Sequence, residues 1–230
     1  MVRLITDFDG PIMDVSERYY RVYQFCLSQT RYVDQPVKEL SKSEFWQLKR
    51  SQVPEKQIAL DSGLDATQAQ LFQKLRRQTV HTQPYFDYDI LIPGATDALT
   101  KIQRSGLDLV VMTMRRVREL EYALQKYDLS RFFPSDRRYC LSNDYIKTRD
   151  VEDKPLLMAQ ALTELPPDNR TWMVGDTEAD ITAAKAHGIK VIAVESGIRD
   201  RTQLEIYQPN LIVQNLSTAV DFILNNEQNH

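Results

Sequence analysis

Two uninterrupted apolar runs, LVVM at 109–112 and VIAV at 191–194, constrain this chain more than any other feature. Neither alternates with polar residues, so each reads as a strand buried on both faces, as in a parallel sheet between helix layers. The surrounding texture agrees. From LIPGATDALTKIQRSG at 91–106 onward, helix and strand take turns. The strands are LDLVVMT at 107–113, RRYCLS at 137–142, TWMVGD at 171–176, KVIAVES at 190–196 and NLIVQ at 210–214. Helices are expected over 115–127, from Lys154-Pro155, over 177–188 and at the end.

An earlier strand, RLITDFD at 3–9, is closed by the turn pair Gly10-Pro11. A parallel crossover needs little more than a dozen residues, yet about a hundred separate this strand from the next. The excess is helical in texture. Val15, Tyr19, Val22, Tyr23 and Phe25 recur at near-helical spacing, and Asp14 with Glu17 resembles a capping box. Further opening or closing signals stand at Ser41, Pro54 and Gly63. The expected architecture is therefore α/β. A Rossmann-like parallel sheet core between helix layers takes residues 1–13 and 90–230, and an inserted all-helical cap domain takes 14–89. Gly10-Pro11 and Pro93-Gly94 mark the two stems.

Composition narrows the partners. The 230 residues carry a formal net charge of -3, which offers no basic footprint for nucleic acid. No apolar run is long enough to cross a bilayer, and the start lacks the pattern of a signal peptide. Cys26 and Cys140 lie far apart without metal-type partners, so free thiols in a reducing cytoplasm are expected. Nothing in the sequence fixes the oligomer beyond a monomer or homodimer.

In open α/β sheets ligands bind outside the carboxyl ends of the strands. The first strand delivers Asp7 and Asp9, which project from one face because they are two apart. The second ends in Thr113, followed by Met114 and Arg115. Lys154 opens a helix beside Pro155, and Asp176 ends a strand with Asp180 one helical turn on. Such carboxylates cannot stay ionised together without a cation. An all-oxygen donor set favours a hard ion, and Mg²⁺ binds through one or two carboxylates plus water and a phosphate.

DFDG at 7–10, Thr113, Lys154-Pro155 and GDTEAD at 175–180 occur in order at the right element ends. Together they resemble the four signatures of the haloacid dehalogenase-like (HAD) hydrolase superfamily. The segments 93–113 and 174–198 look closest to its phosphoglycolate phosphatase-like branch, which carries a helical cap. The resemblance implies a Mg²⁺-dependent phosphatase of a small phosphorylated metabolite. Asp7 would be the nucleophile that forms an aspartyl-phosphate. Asp9 would protonate the leaving oxygen, then activate water, and its backbone carbonyl would bind the metal. Thr113 and the Met114 amide would hold phosphoryl oxygens, and Lys154 would neutralise Asp7 and the phosphoryl group. Asp176 would ligate the ion, with Asp180 orienting its waters.

The sequence departs from that family at Pro11, where threonine or valine is usual. Proline offers neither hydroxyl nor N–H, so Asp9 is expected to be held differently and the hinge to be stiffer. Arg115, Lys49 and Arg50 are candidates for choosing the leaving group, with Arg18, Arg21, Tyr19, Tyr20 and Tyr23 behind them. Taken singly, each site residue has an ordinary reading: a strand-end turn, a solvated helix start, or an acid drawn to a helix N-terminus. Those readings do not predict the joint placement. A phosphosugar mutase and a non-catalytic phosphate-ligand-binding protein that keeps the fold are the alternatives. His187 reads as structural, and Trp46 and Trp172 as core.

Overall fold

Alternate side chains along each buried strand face opposite helix layers, and the apolar contacts sort accordingly. Leu4, Leu109, Val111, Trp172, Val174, Ile192 and Val194 join one hydrophobic cluster; Ile5, Val110, Met112, Met173, Val191 and Ala193 join another. A side chain of this kind contributes about 1.5–3 kcal/mol when fully buried, so both faces reward continuous apolar sequence. The computed structural model describes residues 2–168 and 170–227. Residues 1, 169 and 228–230, which the expected core included, lie outside them.

The elements run β1 (Arg3–Thr6), β2 (Met13–Asp14), α1 (Ser16–Thr30), α2 (Lys42–Arg50), α3 (Glu55–Asp61), α4 (Ala66–Thr79), β3 (Ile90–Leu91), α5 (Ala95–Arg104) and β4 (Asp108–Arg116). Then come α6 (Val117–Lys126), β5 (Arg138–Leu141), α7 (Asp150–Glu164), β6 (Thr171–Gly175), α8 (Glu178–Ala186), β7 (Lys190–Val194), α9 (Arg201–Ile206), β8 (Leu211–Val213) and α10 (Leu216–Glu227). Six strands form one sheet in the order β5-β4-β1-β6-β7-β8, with every pairing parallel. Helices α5, α6 and α10 cover one face, and α7, α8 and α9 the other. The fold class is the α/β sheet between helix layers that the apolar runs require.

After β1 the chain winds to β4 and β5 on one side, then returns to β6 on the other. The carboxyl end of β1 is therefore the switch point where a crevice opens. Between β1 and β4, helices α1–α4 build a hydrophobic cluster of their own, around Tyr23, Phe45, Ile58 and Phe72. Two strands not expected from the sequence, β2 and β3, pair antiparallel at its base. Tyr19 and Trp46 pack from this helical layer onto the sheet cluster. Among the described residues no helix is long and apolar enough to cross a membrane.

Four local readings need correction. β4 runs on to Arg116 instead of ending at Thr113, with a register shift against β5 between Met112 and Arg116. Lys154 lies inside α7, one turn past its start at Asp150, because the preceding residues extend the helix and Asp153 accepts from the Thr148 N–H. The Asp14–Glu17 box does not form: Asp14 accepts from the Ser16 N–H and Glu17 pairs with Arg21 and Lys42. Trp46 is only partly buried, whereas Trp172 is in the core. His187 Nε2 stands 3.0 Å from the Pro155 carbonyl, a structural contact.

Candidate active site

Asp7 follows the last residue of β1 and is fixed by the neighbouring strand, since its N–H donates to the Val174 carbonyl at 2.8 Å. Its Oδ1 accepts from the Phe8 N–H at 2.7 Å, and its Oδ2 stands 2.9 Å from Lys154 Nζ. Lys154 is 1% exposed and also pairs with Asp180. An ammonium this deep persists only where carboxylates meet it. Burial pushes the lysine pKa down, but Asp180 and Asp7 outweigh burial and hold it above its usual range. Burial, the largest influence, lifts the Asp7 carboxyl well above the usual carboxylate range despite Lys154, helped by Asp180 and Asp176.

Asp180 is committed to holding the loop. Its Oδ2 accepts from the N–H groups of Asp176 and Thr177 and from the Thr177 hydroxyl, closing a capping box at the start of α8. Asp176 is different. Its Oδ2 accepts from the Ile198 N–H at 2.6 Å, while its buried Oδ1 has no hydrogen-bond partner among the described residues. Burial and the Asp180 charge raise its pKa to about 7. The backbone closes round this carboxylate: a Cβ on either Gly10 or Gly197 would overlap it. Gly10 also holds φ at +89°, a left-handed value that glycine adopts without penalty.

One carboxylate oxygen from each of Asp7, Asp176 and Asp180 lies within 4.8 Å of the others. A buried carboxylate oxygen left without a donor, in an all-oxygen cluster, fits a hard divalent ion. The residues present therefore suit the metal that the sequence suggests. The Asp9 side chain stands outside this cluster.

Asp9 is held by arginine instead. Its Oδ1 accepts from Arg115 Nε at 2.9 Å and its Oδ2 from Arg18 Nη2 at 3.1 Å. Burial alone would raise its pKa, but Arg115 and Arg18 overcome burial and keep it below the usual range. Thr113 is 2% exposed, and its Oγ1 accepts from the Arg115 N–H at 3.2 Å. Asp7, Asp9, Thr113, Met114, Arg115, Lys154 and Asp176 all line one cavity of about 140 Å³. Tyr19 and His81 from the helical layer, and Lys147, are among the other residues of its walls.

Not every predicted residue arrives. Lys49 turns away to an ion pair with Glu55, and the Arg50 guanidinium donates to the Glu195 carbonyl; neither lines the cavity. Lys49 and Arg50 are helix-end cations with acceptors nearer than the site, which removes them as candidates for choosing the leaving group. Arg21 pairs with Glu17, and the Tyr20 and Tyr23 hydroxyls bond within the helical layer at Leu40 and Ser62. Sequence reasoning missed Asp89, His81, Gly197 and Ile198. Only Gly197, in a loop directly after an apolar strand, carried a signal there.

The switch point of the parallel sheet gathers buried aspartates round a lysine, the placement that the resemblance to the HAD superfamily implies. The comparisons agree. A HAD-hydrolase-like family model matches residues 153–219. A phosphoglycolate phosphatase from Pseudomonas fluorescens is 23% identical over 131 residues, covering 57% of this chain and 46% of that protein. Phosphoglycolate phosphatase 1 from Pseudomonas aeruginosa is 26% identical over 124 residues, covering 54% and 44%. The matched stretch thus spans about half the length of these relatives. Among solved structures, a haloacid dehalogenase-like family hydrolase from Streptococcus pneumoniae superposes with a TM-score of 0.69 at 18% identity, covering 96% of this chain and 98% of that one. A predicted phosphatase from Clostridium acetobutylicum gives 0.71 at 19%, covering 97% and 98%. Over residues 153–219 the chain is thus similar to HAD-like hydrolases, and it shares the fold of these haloacid dehalogenase-like structures.

Proposed function

We infer that the protein is a Mg²⁺-dependent phosphatase of small phosphomonoesters, acting through an aspartyl-phosphate on Asp7, with residues 14–89 serving as its cap. The observation that carries this reading is the buried triad Asp7, Asp176 and Asp180 beside Lys154, of which Asp7, Asp176 and Lys154 line a cavity together with Asp9 and Thr113. Asp7, Asp176 and the Asp9 carbonyl would hold the ion, with Asp180 bracing them. Bound there, a divalent ion supplies charge neutralisation for a dianionic phosphoryl group.

The protein's own groups then divide the work. Asp7 attacks phosphorus while the bond to the ester oxygen breaks, and Asp9 gives that oxygen a proton. In the second half Asp9 takes a proton from water, which attacks phosphorus and returns Asp7 as a free carboxylate. Splitting the displacement in two, with charge stabilisation from Lys154 and the Thr113 hydroxyl, is how such chemistry is accelerated. The cavity is small beside the ~300–1,000 Å³ of sites for drug-sized ligands, which favours a leaving group of a few heavy atoms. Relatives bearing the name phosphoglycolate phosphatase make that ester the first substrate to assay.

The test is turnover of phosphoglycolate, an aryl phosphate and a sugar phosphate, with and without chelator, by the parent and Asp7→Asn. Metal-dependent phosphate release that the variant loses supports the reading. Phosphate binding without turnover identifies a non-catalytic binder, and an isomerised sugar phosphate without free phosphate identifies a mutase.

A further inference from the structure

Asp9 belongs to a closed ring of four charges. Asp9 Oδ1 meets Arg115, Arg115 Nη2 meets Asp89 Oδ2, Asp89 Oδ1 stands 2.9 Å from Arg18 Nε, and Arg18 returns to Asp9 Oδ2. Each carboxylate bridges both guanidinium groups, so the four charges cancel. Three members are buried: Arg18 at 0%, Arg115 at 2% and Asp89 at 2% side-chain exposure; Asp9 alone keeps 26%. The rings of Phe8 and Phe86 back the arginines, with Arg115 5.1 Å from Phe8 and Arg18 4.9 Å from Phe86.

The members come from four places. Asp9 ends the β1 loop, Arg115 is in β4, Arg18 is on α1, and Asp89 directly precedes β3. Only Asp9 and Arg115 line the cavity; Arg18 and Asp89 do not. A carboxylate fixed at both oxygens has one orientation, and its uncovered part is what faces the cavity. The rotamer of Asp9 is thus dictated by Arg115 of β4 and Arg18 of the helical layer, with Asp89 at the stem bracing both arginines.

We propose that Arg115, Arg18 and Asp89 are positioning residues that set the Asp9 carboxyl at the leaving-group oxygen and tie it to the cap stems. This rests on the phosphatase reading above. Asp9 is a carboxylate in this ring, so the proton it hands to the ester oxygen as the phosphorus–oxygen bond breaks is one it takes from the phosphoryl group of the incoming monoanionic ester. A misplaced Asp9 therefore harms esters whose leaving group must be protonated. A nitrophenolate leaves without help; an alkoxide does not.

The experiment compares kcat and KM for 4-nitrophenyl phosphate and an alkyl phosphate in the parent, Asp89→Asn, Arg115→Lys and Arg115→Met, with divalent metal present. Asp89→Asn keeps its shape and lies outside the cavity, so it separates positioning from substrate contact. The expected result is a loss in kcat on the alkyl ester approaching the about 10²-fold contribution of an acid–base partner, strongest in Arg115→Met. The aryl ester should suffer far less, KM should stay close to the parent's, and Arg115→Lys should restore part of the loss. Equal losses on both esters, or a rise in KM alone, overturn the proposal; a rise in KM alone assigns Arg115 to substrate binding through Nη1, which has no hydrogen-bond partner among the described residues. Should Arg115→Met fail to fold, Asp89→Asn and Arg115→Lys decide by the same criterion. A parent that turns over neither ester overturns the phosphatase reading and this inference with it.

Discussion

Lys154→Met removes one cation and leaves a nearly isosteric side chain, so its cost reads the electrostatics of the site directly. Lys154 Nζ stands 2.9 Å from Asp7, pairs with Asp180, and is 1% exposed. Breaking such a buried pair costs about 3–5 kcal/mol, because the stranded charges cannot return to water. At 2–4 °C per kcal/mol for a chain of this size, thermal unfolding should begin about 6–20 °C lower at pH 8 in chelator. The deficit should shrink at low pH. Burial already holds the Asp7 carboxyl above its usual range, and losing Lys154 raises it further. A carboxyl whose folded pKa exceeds its unfolded value costs stability as pH climbs between the two, and costs nothing below both. The variant should therefore lie closer to the parent at pH 5 than at pH 8. Circular dichroism melts of both proteins at the two pH values check this. An equal deficit at both, or a deficit under about 1 kcal/mol at pH 8, refutes the claim that Lys154 neutralises Asp7 and Asp180.

Two further outcomes follow. Gly197→Ala should force the Asp176 carboxylate aside, at about 1–3 kcal/mol of overpacking. It should also weaken Mg²⁺ activation by about 10–100-fold, read by titrating metal against initial rate. Lys49→Ala should change kcat/KM by less than about fivefold, within ~1 kcal/mol, because its ammonium is spoken for by Glu55 outside the cavity; a larger loss would return Lys49 to the substrate.

How much was legible can be judged from particular residues. LVVM and VIAV are short stretches whose pattern states their own environment, and the parallel sheet follows from them. Asp7 and Asp176 were legible because each sits just beyond a strand's carboxyl end, where the fold itself brings strand ends together; Thr113 reaches the same cavity from within β4, three residues before its end. Lys49 and Arg50 misled because a cation's partner is whichever carboxylate or carbonyl lies nearest in space. Sequence spacing carries no record of Glu55 or Glu195 in that role.

The amino-acid sequence by itself determined the α/β class, the long helical insertion between the first two core strands, and the acidic cluster with its lysine. These rest on local periodicity and on which residues end each strand. Only the tertiary structure decided that Asp9 meets Arg115 across a sequence separation of 106, that Asp89 and Arg18 close the ring, and that Gly10 and Gly197 make room for Asp176. Those contacts depend on how distant loops converge, and charge pairing at that range is fixed by geometry rather than by any pattern along the chain.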